Sequence, residues 1–212
     1  QSQLALHGAL APGVGIFQQM KWTWRRGSGE PVDLTLEWEA GVRLSEHWRP
    51  DAVAVLAHWS KDGSLSRSVR GLAGSLSDCG FQVVLVSAAE FTGDRPGGWP
   101  DIPESASLYR RPNSGYDFGT WSATLQSLPQ LCRAREVILA NDSMLGPFRS
   151  LSPLMERMHQ TPSDIWSMTD SVQFGWHPQS YFVGYRNGVL DEPALHAFWR
   201  SVRVHHSKDE II

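Results

Sequence analysis

The sequence predicts an α/β protein whose central sheet is mostly parallel, with helices on both faces. Apolar runs of strand length recur in residues 52–59, 81–88 and 136–142 (AVAVLAHW, FQVVLVSA and EVILAND). Runs of this kind are typical of strands that are buried on both faces of a sheet. Helix-like segments separate them, as in residues 60–80, where four apolar side chains recur at helical spacing: Leu65, Val69, Leu72 and Leu76. Strands that alternate with helices favour a parallel sheet.

The alternation continues to the end of the chain. Further strands are predicted in residues 106–111, 164–170 and 180–186. Helices are predicted in residues 116–128, 151–160 and 192–202, the second with Pro153 in its first turn.

The first fifty residues differ from the rest. They contain loop residues and one alternating segment, VDLTLEWEAGV, that is typical of a half-exposed strand. We therefore expect an N-terminal extension or edge hairpin over residues 1–50 and the main domain over residues 51–212. The chain closes on Ile211-Ile212 without a terminal signal, so we expect this domain to be truncated at its C-terminus.

Composition excludes several classes of protein. The chain has 212 residues, 41% hydrophobic and 19% charged, which describes an ordinary globular protein. A net charge of −3 disfavours nucleic acid as the partner. Cys79 and Cys132 match no metal spacing and are expected to be reduced thiols. No apolar run is long enough to predict a membrane-spanning helix.

Polar side chains gather where the predicted strands end. In sheets of this kind ligands bind outside the carboxyl ends of the strands. The clusters at those ends are His58-Trp59-Ser60, Arg110-Arg111, Asn141-Asp142-Ser143 and Thr169-Asp170-Ser171. Their convergence on one edge predicts a binding or active site there.

The segment RRPNSGYDFGTW (110–121) has two interpretations that remain open. In one, Gly115 permits a tight turn and Asp117 caps the following helix. In the other, Arg111 and the turn amides face an anionic phosphate near the helix N-terminus.

Two strand-end carboxylates also have more than one interpretation. Asp142 either caps a turn or holds a divalent cation that bridges phosphates, since Mg²⁺ and Mn²⁺ prefer oxygen ligands. Asp170 either caps a turn, supplies a second ligand or acts as a general base. Motifs of P-loop, dinucleotide-binding and G-x-S-x-G hydrolase sites are absent from the sequence.

The order of these motifs resembles the rhamnan synthesis protein F (RgpF-type) family. The most specific pieces are GYDFG.W, NDS..GP and TDS followed by H.QSYF, and the resemblance covers residues 52–212. The family is associated with rhamnose-containing cell-wall and O-antigen polysaccharides of bacteria. The resemblance implies a Rossmann-like fold of the GT-A type and a glycosyltransferase activity.

The resemblance also implies roles for individual residues. His58 and Trp59 would line the nucleotide pocket, and the donor-binding turn would comprise Arg111, Asn113, Gly115 and Asp117. Asn141, Asp142 and Ser143 occupy the position of the metal motif, with Asp142 as ligand of Mg²⁺ or Mn²⁺. His177, Gln179 and Ser180 would face the acceptor, and the catalytic base would be Asp170 or Glu210.

Partners and location follow from the same resemblance. It implies dTDP-rhamnose as donor, a glycan or lipid-linked glycan as acceptor, and a cytoplasmic location at the inner face of the membrane, beside a membrane assembly complex. Two alternatives stay open: a non-catalytic module that binds glycan or nucleotide, and a hydrolase in which Asp142 and Asp170 act as paired carboxylates.

Overall fold

The computed structural model describes residues 29–90, 99–173 and 176–204. Within those ranges it contains one seven-stranded sheet and two small two-stranded sheets. The strands are β1 (Glu30–Pro31), β2 (Glu37–Gly41), β3 (Ala52–His58), β4 (Gln82–Ser87), β5 (Ser107–Arg110), β6 (Glu136–Asn141), β7 (Ile165–Ser167), β8 (Asp170–Ser171), β9 (His177–Pro178), β10 (Phe182–Arg186) and β11 (Arg203–Val204). The helices are α1 (Arg67–Asp78), α2 (Tyr116–Ser127), α3 (Ser152–Gln160) and α4 (Pro193–Ser201). An α/β fold is therefore confirmed.

The large sheet is mixed rather than uniformly parallel. Its strand order is β2-β5-β4-β3-β6-β10-β7. The four central strands, β5, β4, β3 and β6, run parallel, whereas β2, β10 and β7 pair antiparallel at the flanks. The chain passes from β7 to β10 through the short hairpin β8–β9 instead of a crossover helix, and a connection of that kind leaves neighbouring strands antiparallel.

Helices cover both faces of this sheet, as the sequence predicts. Successive side chains of a strand point to opposite faces. In β3 the odd-numbered residues, such as Val53 and Val55, are in one core cluster with Trp121 of α2 and Trp199 of α4. Even-numbered residues, such as Leu56, pack with α1 and α3 in a second cluster. The core strands are thus apolar on both sides, which explains their continuous hydrophobic runs.

The segment before residue 51 contributes to the large sheet. β2 is its edge strand and pairs with β5, with a register shift between Trp38 and Ala40. β1 pairs with β11, the short strand that follows α4, in a separate small sheet. None of the helices in the described ranges is both long and apolar enough to cross a bilayer.

Candidate functional site

One edge of the sheet collects the polar side chains singled out by the sequence. The parallel strands β3, β4, β5 and β6 all end there. β10 runs in the opposite direction and begins there, because Phe182 pairs with Ala140 near the end of β6. The segment between β7 and β10 therefore lies at the same edge. The chain order reverses direction between β3 and β6, and such switch points are where ligands bind in open α/β sheets.

Asp142 lies at this switch point and contacts the end of β3. The backbone N–H of Trp59 donates to Asp142 Oδ2 at 2.7 Å, which joins two loops 83 residues apart in sequence. Burial raises the pKa of the Asp142 carboxyl above its ordinary value, and the hydrogen bond from Trp59 opposes that rise. A positive charge beside this carboxyl would favour its ionised form. The Trp59 side chain is 53% exposed beside it.

Asn141 connects Asp142 to helix α2. Its side chain is 6% exposed, and its Nδ2 donates to Asp117 Oδ2 at 2.6 Å. Its Oδ1 accepts from the Ser143 backbone N–H at 3.1 Å. Because both ends of the amide are engaged, its orientation is fixed. We call Trp59, Asp117, Asn141 and Asp142 the edge cluster.

Helix α2 begins two residues earlier than the capping interpretation of Asp117 requires. Its N-cap is Gly115, with φ of 79°, and no side chain caps the helix. Asp117 therefore lies in the first turn, where it accepts from Asn141, and of the two open interpretations the one that makes it the N-cap is wrong. A carboxylate in a first turn is favoured by the helix dipole.

Arg111 holds the turn that precedes this helix. It is 4% exposed, and its terminal nitrogens donate to Ser114 O at 3.0 Å, Thr120 Oγ1 at 3.1 Å and Asp33 O at 3.0 Å. Burial lowers the pKa of its guanidinium to about 10. These contacts position the turn and leave Asn113 exposed within it.

A glycine completes the turn. A methyl group at Gly119 would overlap the carbonyl oxygen of Ser114 and lie 2.9 Å from its carbonyl carbon. The turn can therefore pack directly against α2 only because residue 119 has no side chain.

His58 is buried beneath the edge. Its ring is 3% exposed, with Nδ1 3.0 Å from Ser87 Oγ and Nε2 3.1 Å from the carbonyl oxygen of Ser64. A carbonyl only accepts, so Nε2 carries the proton and Nδ1 accepts from the Ser87 hydroxyl. Burial lowers the pKa of His58, which keeps the ring neutral. This side chain fixes the loop after β3.

The β8–β9 hairpin carries the remaining described residues. Trp176 Nε1 donates to Asp170 Oδ2 at 2.6 Å, and Gln179 Nε2 lies 3.4 Å from His177 Nε2. Ser180 is half-buried in the turn before β10. Tyr181 ties the hairpin to the edge cluster. Its carbonyl accepts from Asn141 N–H at 3.1 Å, and its hydroxyl lies 2.9 Å from Thr169 Oγ1. Glu210 lies outside the described residues.

A cleft of about 460 Å³ opens at the same edge, beside the ends of β4 and β5. Its lining includes two arginines and two glutamates, and consists of Thr35, Glu37, Ala89, Glu90, Arg110, Arg111 and Pro112. Sequence reasoning missed five of these: Thr35, Glu37, Ala89, Glu90 and Pro112. The available signal was the placement of residues 88–90 directly after a buried strand, which resembles the other strand ends.

The edge cluster offers a limited set of metal ligands. Among residues 29–90, 99–173 and 176–204, no three His, Cys, Asp or Glu side chains come together to hold an ion. Mg²⁺ is commonly held by one or two carboxylates together with substrate phosphates. Asp142 fits this arrangement as the single carboxylate, with the remaining ligands supplied by the phosphates of a substrate.

The fold defines an α/β protein with a polar candidate site at a topological switch point and a cleft beside it at the same edge of the sheet. Residues 102–212 match the model of the family described as Rhamnan synthesis protein F (RgpF), which is just over half of the chain. The chain belongs to this family, as its motifs indicate.

Curated relatives are similar over about half of this chain. An uncharacterized protein, y4gN, of Sinorhizobium fredii (strain NBRC 101917 / NGR234) is 26% identical over 110 residues, 50% of this chain and 29% of the relative. Virulence protein VirA of Vibrio anguillarum (strain ATCC 68554 / 775) is 35% identical over 105 residues, 48% of this chain and 33% of the relative. The matched part thus spans about a third of each relative. No solved structure matches the chain.

Proposed function

We propose that this protein is a glycosyltransferase that moves rhamnose from dTDP-rhamnose to a growing bacterial surface polysaccharide. The family connects the chain with rhamnan and polysaccharide synthesis. The observation that carries the proposal is Asp142, a half-buried carboxylate held by Trp59 N–H at 2.7 Å at the switch point between β3 and β6. This position is where ligands bind in open α/β sheets.

The donor would lie along the edge from the cleft to the edge cluster. The cleft at the ends of β4 and β5 provides Glu90 and Arg110, which suit the polar atoms of a nucleoside. Asp142 is placed at the other end, across β3, where the diphosphate and sugar would lie. The N-terminus of α2 lies between them in the chain order and offers backbone amides to phosphate oxygens.

The transfer reaction requires stabilisation of the charge on the leaving group and one acceptor for the proton of the attacking hydroxyl. The bond between the anomeric carbon and the diphosphate oxygen breaks, and a bond forms to the acceptor hydroxyl oxygen. Negative charge grows on the leaving diphosphate, where the amides of α2 would stabilise it. The acceptor proton would go to Asp170, whose Oδ2 is oriented by Trp176 Nε1. Glu210 is the second proposed base.

A divalent cation would contribute in one way. Asp142 would hold Mg²⁺ or Mn²⁺, and the bound ion would supply positive charge to the leaving group. The residues that hold and orient Asp142 for this purpose are Trp59, through its N–H, and Asn141, through the turn at Ser143. This proposal places the protein in the cytoplasm, at the inner face of the membrane.

A second candidate function is a non-catalytic module that binds nucleotide or glycan. Two observations favour it. Asp142 is the only carboxylate in the NDS segment, and no metal-holding group of three occurs in the described ranges. Such a module would bind the same ligands without releasing a nucleoside diphosphate.

Donor turnover separates the two candidates. The full chain is incubated with dTDP-rhamnose, UDP-glucose and GDP-mannose, with and without Mn²⁺, and release of nucleoside diphosphate is measured. We expect release from dTDP-rhamnose that is lost in Asp142→Asn. The matched control is Asp164→Asn, which lies outside the edge cluster and pairs with Asn187. Binding of the nucleotide without release would favour the non-catalytic module.

A further inference from the structure

The loop directly after the edge cluster exposes two large apolar side chains. Leu145 and Phe148 are each 81% exposed, the highest exposure among the large hydrophobic residues of the described ranges. They are part of residues 144–149 (MLGPFR), which we call the apolar loop. Single exposed apolar residues are common on protein surfaces, but two on one short loop beside a ligand site point to a binding surface.

The exposure of these side chains is built into the way the loop is attached. Its centre is fixed to helix α1, because Gly146 N–H donates to Ser68 Oγ at 3.2 Å. Pro147 Cδ covers Gly71 of the same helix and lies 3.6 Å from the position of a Cβ there. Met144 packs against the core cluster behind the loop. With the start and the middle of the loop fixed, Leu145 and Phe148 are held in solvent.

Two exposed cations lie beside the apolar loop, and the carboxylate that precedes the loop, Asp142, is half-buried and accepts from Trp59 N–H. Residues 143–151 contain Arg149 and no carboxylate, although the whole chain carries a net charge of −3. Arg67 is also exposed and lies four residues before Gly71, so it is on the side of α1 that Pro147 covers. Two exposed apolar side chains flanked by two cations match the chemistry of an anionic lipid surface.

We infer that the apolar loop inserts Leu145 and Phe148 into the surface of an anionic lipid bilayer, with Arg67 and Arg149 against the lipid headgroups. A polar glycan does not explain Leu145, because an aliphatic side chain provides no ring on which a sugar stacks. Bilayer contact accounts for the apolar and the cationic residues together.

The contact would bring the candidate site to the membrane. Asp142 is three residues before Leu145, so the edge cluster would face the lipid headgroups. If the proposed transferase function holds, on which this step rests, its acceptor is a glycan carried on a lipid rather than a free oligosaccharide. The bilayer contact itself does not depend on the transfer reaction.

Vesicle co-sedimentation of the full chain tests the inference. The two probes are vesicles of phosphatidylcholine alone and of an equimolar mixture of phosphatidylcholine and phosphatidylglycerol. We expect binding to the mixed vesicles that weakens with added salt, and much weaker binding to phosphatidylcholine alone. Each of Leu145→Ser and Phe148→Ser should lower the partition coefficient about tenfold, since each removes one inserted apolar side chain.

Matched variants control for non-specific effects. Leu34→Ser with Val42→Ser removes apolar side chains that are 45% and 40% exposed near strand β2, and should leave vesicle binding unchanged. Arg149→Gln with Arg67→Gln should reduce binding to the mixed vesicles only. Thermal unfolding verifies that each variant is folded, which we expect because the substituted side chains are exposed.

Three outcomes would overturn the inference. The first is a wild-type chain that binds neither vesicle, and the second is a Leu145→Ser/Phe148→Ser variant that binds as tightly as wild type. The third is a dimer that the same double variant dissociates without any vesicle binding, which would make the loop an interface between copies. Nucleotide binding is measured separately on the same samples, so these outcomes leave the proposed function intact.

Discussion

The contact between Asn141 and Asp117 allows a sharp test of the edge cluster. The substitution Asn141→Asp replaces an amide that donates at 2.6 Å with a carboxylate of the same shape. Two carboxylates would then face each other across one hydrogen-bond distance, at a position that is 6% exposed in the native protein. We expect the variant to be strongly destabilised at neutral pH.

Proton uptake limits how far Asn141→Asp can lower the free energy of unfolding. Two unit charges about 3 Å apart repel by roughly 5 kcal/mol at an effective dielectric constant of about 20. Binding a proton removes the repulsion, and at pH 7 this costs about 4 kcal/mol for a carboxyl with an ordinary pKa near 3.9. The repulsion therefore lowers the free energy of unfolding by up to about 4 kcal/mol at pH 7. At pH 5 the same limit falls to about 1.5 kcal/mol.

The sign of the pH dependence follows from linkage. A carboxyl pair that shares a proton has a raised pKa in the folded state, so the folded protein binds more protons than the unfolded chain. Stability is then retained at acid pH and is lost as the pH rises above the ordinary carboxyl value.

Urea unfolding at pH 7 and pH 5 measures this effect. Asn141→Ala is the control, since it removes the two hydrogen bonds of the amide without adding a charge. The difference between the two variants isolates the repulsion, and it should shrink from pH 7 to pH 5. If Asn141→Asp is as stable as Asn141→Ala at pH 7, or if their difference does not change with pH, Asn141 does not face Asp117 and our description of the edge cluster fails.

Two further predictions concern neighbouring positions. Gly119→Ala should lower the free energy of unfolding by about 3 kcal/mol, because its methyl group would overlap the Ser114 carbonyl. The control Gly74→Ala has nothing within 4 Å of the added methyl group and should raise the free energy of unfolding by up to about 1 kcal/mol. Equal effects of the two substitutions in urea unfolding would contradict the close packing of the turn. Burial raises the pKa of the Asp142 carboxyl above its ordinary value, so the contribution of this group to stability falls as the pH rises through its folded-state pKa. Asp142→Asn keeps an acceptor for Trp59 N–H and should melt at a higher temperature than wild type at pH 7 but not at pH 3.5, and a lower melting temperature at pH 7 would refute this.

The central part of the fold is predictable from local sequence. Strands buried on both faces, such as β3, β4 and β6, have continuous apolar runs that no surface element shares. The direction of the flanking strands is not encoded in such runs. β10 also has apolar side chains in both core clusters, Phe182 and Tyr185, and its antiparallel pairing depends on the hairpin that leads into it.

The position of the candidate site is predictable from the sequence, but its long-range contacts are not. Strand ends of a parallel sheet meet at one edge, so the proximity of Asp142 and Trp59 follows from the order of β3 and β6. Arg111 shows the opposite case. Its second terminal nitrogen donates to the carbonyl oxygen of Asp33, which lies 78 residues earlier in the chain. Local sequence contains no signal for such a contact. The sequence also does not predict that Thr35 and Glu37 line the cleft, because they too are far in sequence from the other lining residues.

Isothermal titration of dTDP into the full chain, with and without Mn²⁺, tests the central claim most directly. We predict binding in wild type that Mn²⁺ strengthens, and an Asp142→Asn variant that stays folded, binds more weakly and no longer responds to Mn²⁺. Asp164→Asn should behave as wild type. A folded wild-type chain that binds no nucleoside diphosphate under either condition would contradict the placement of a nucleotide-sugar site at this edge.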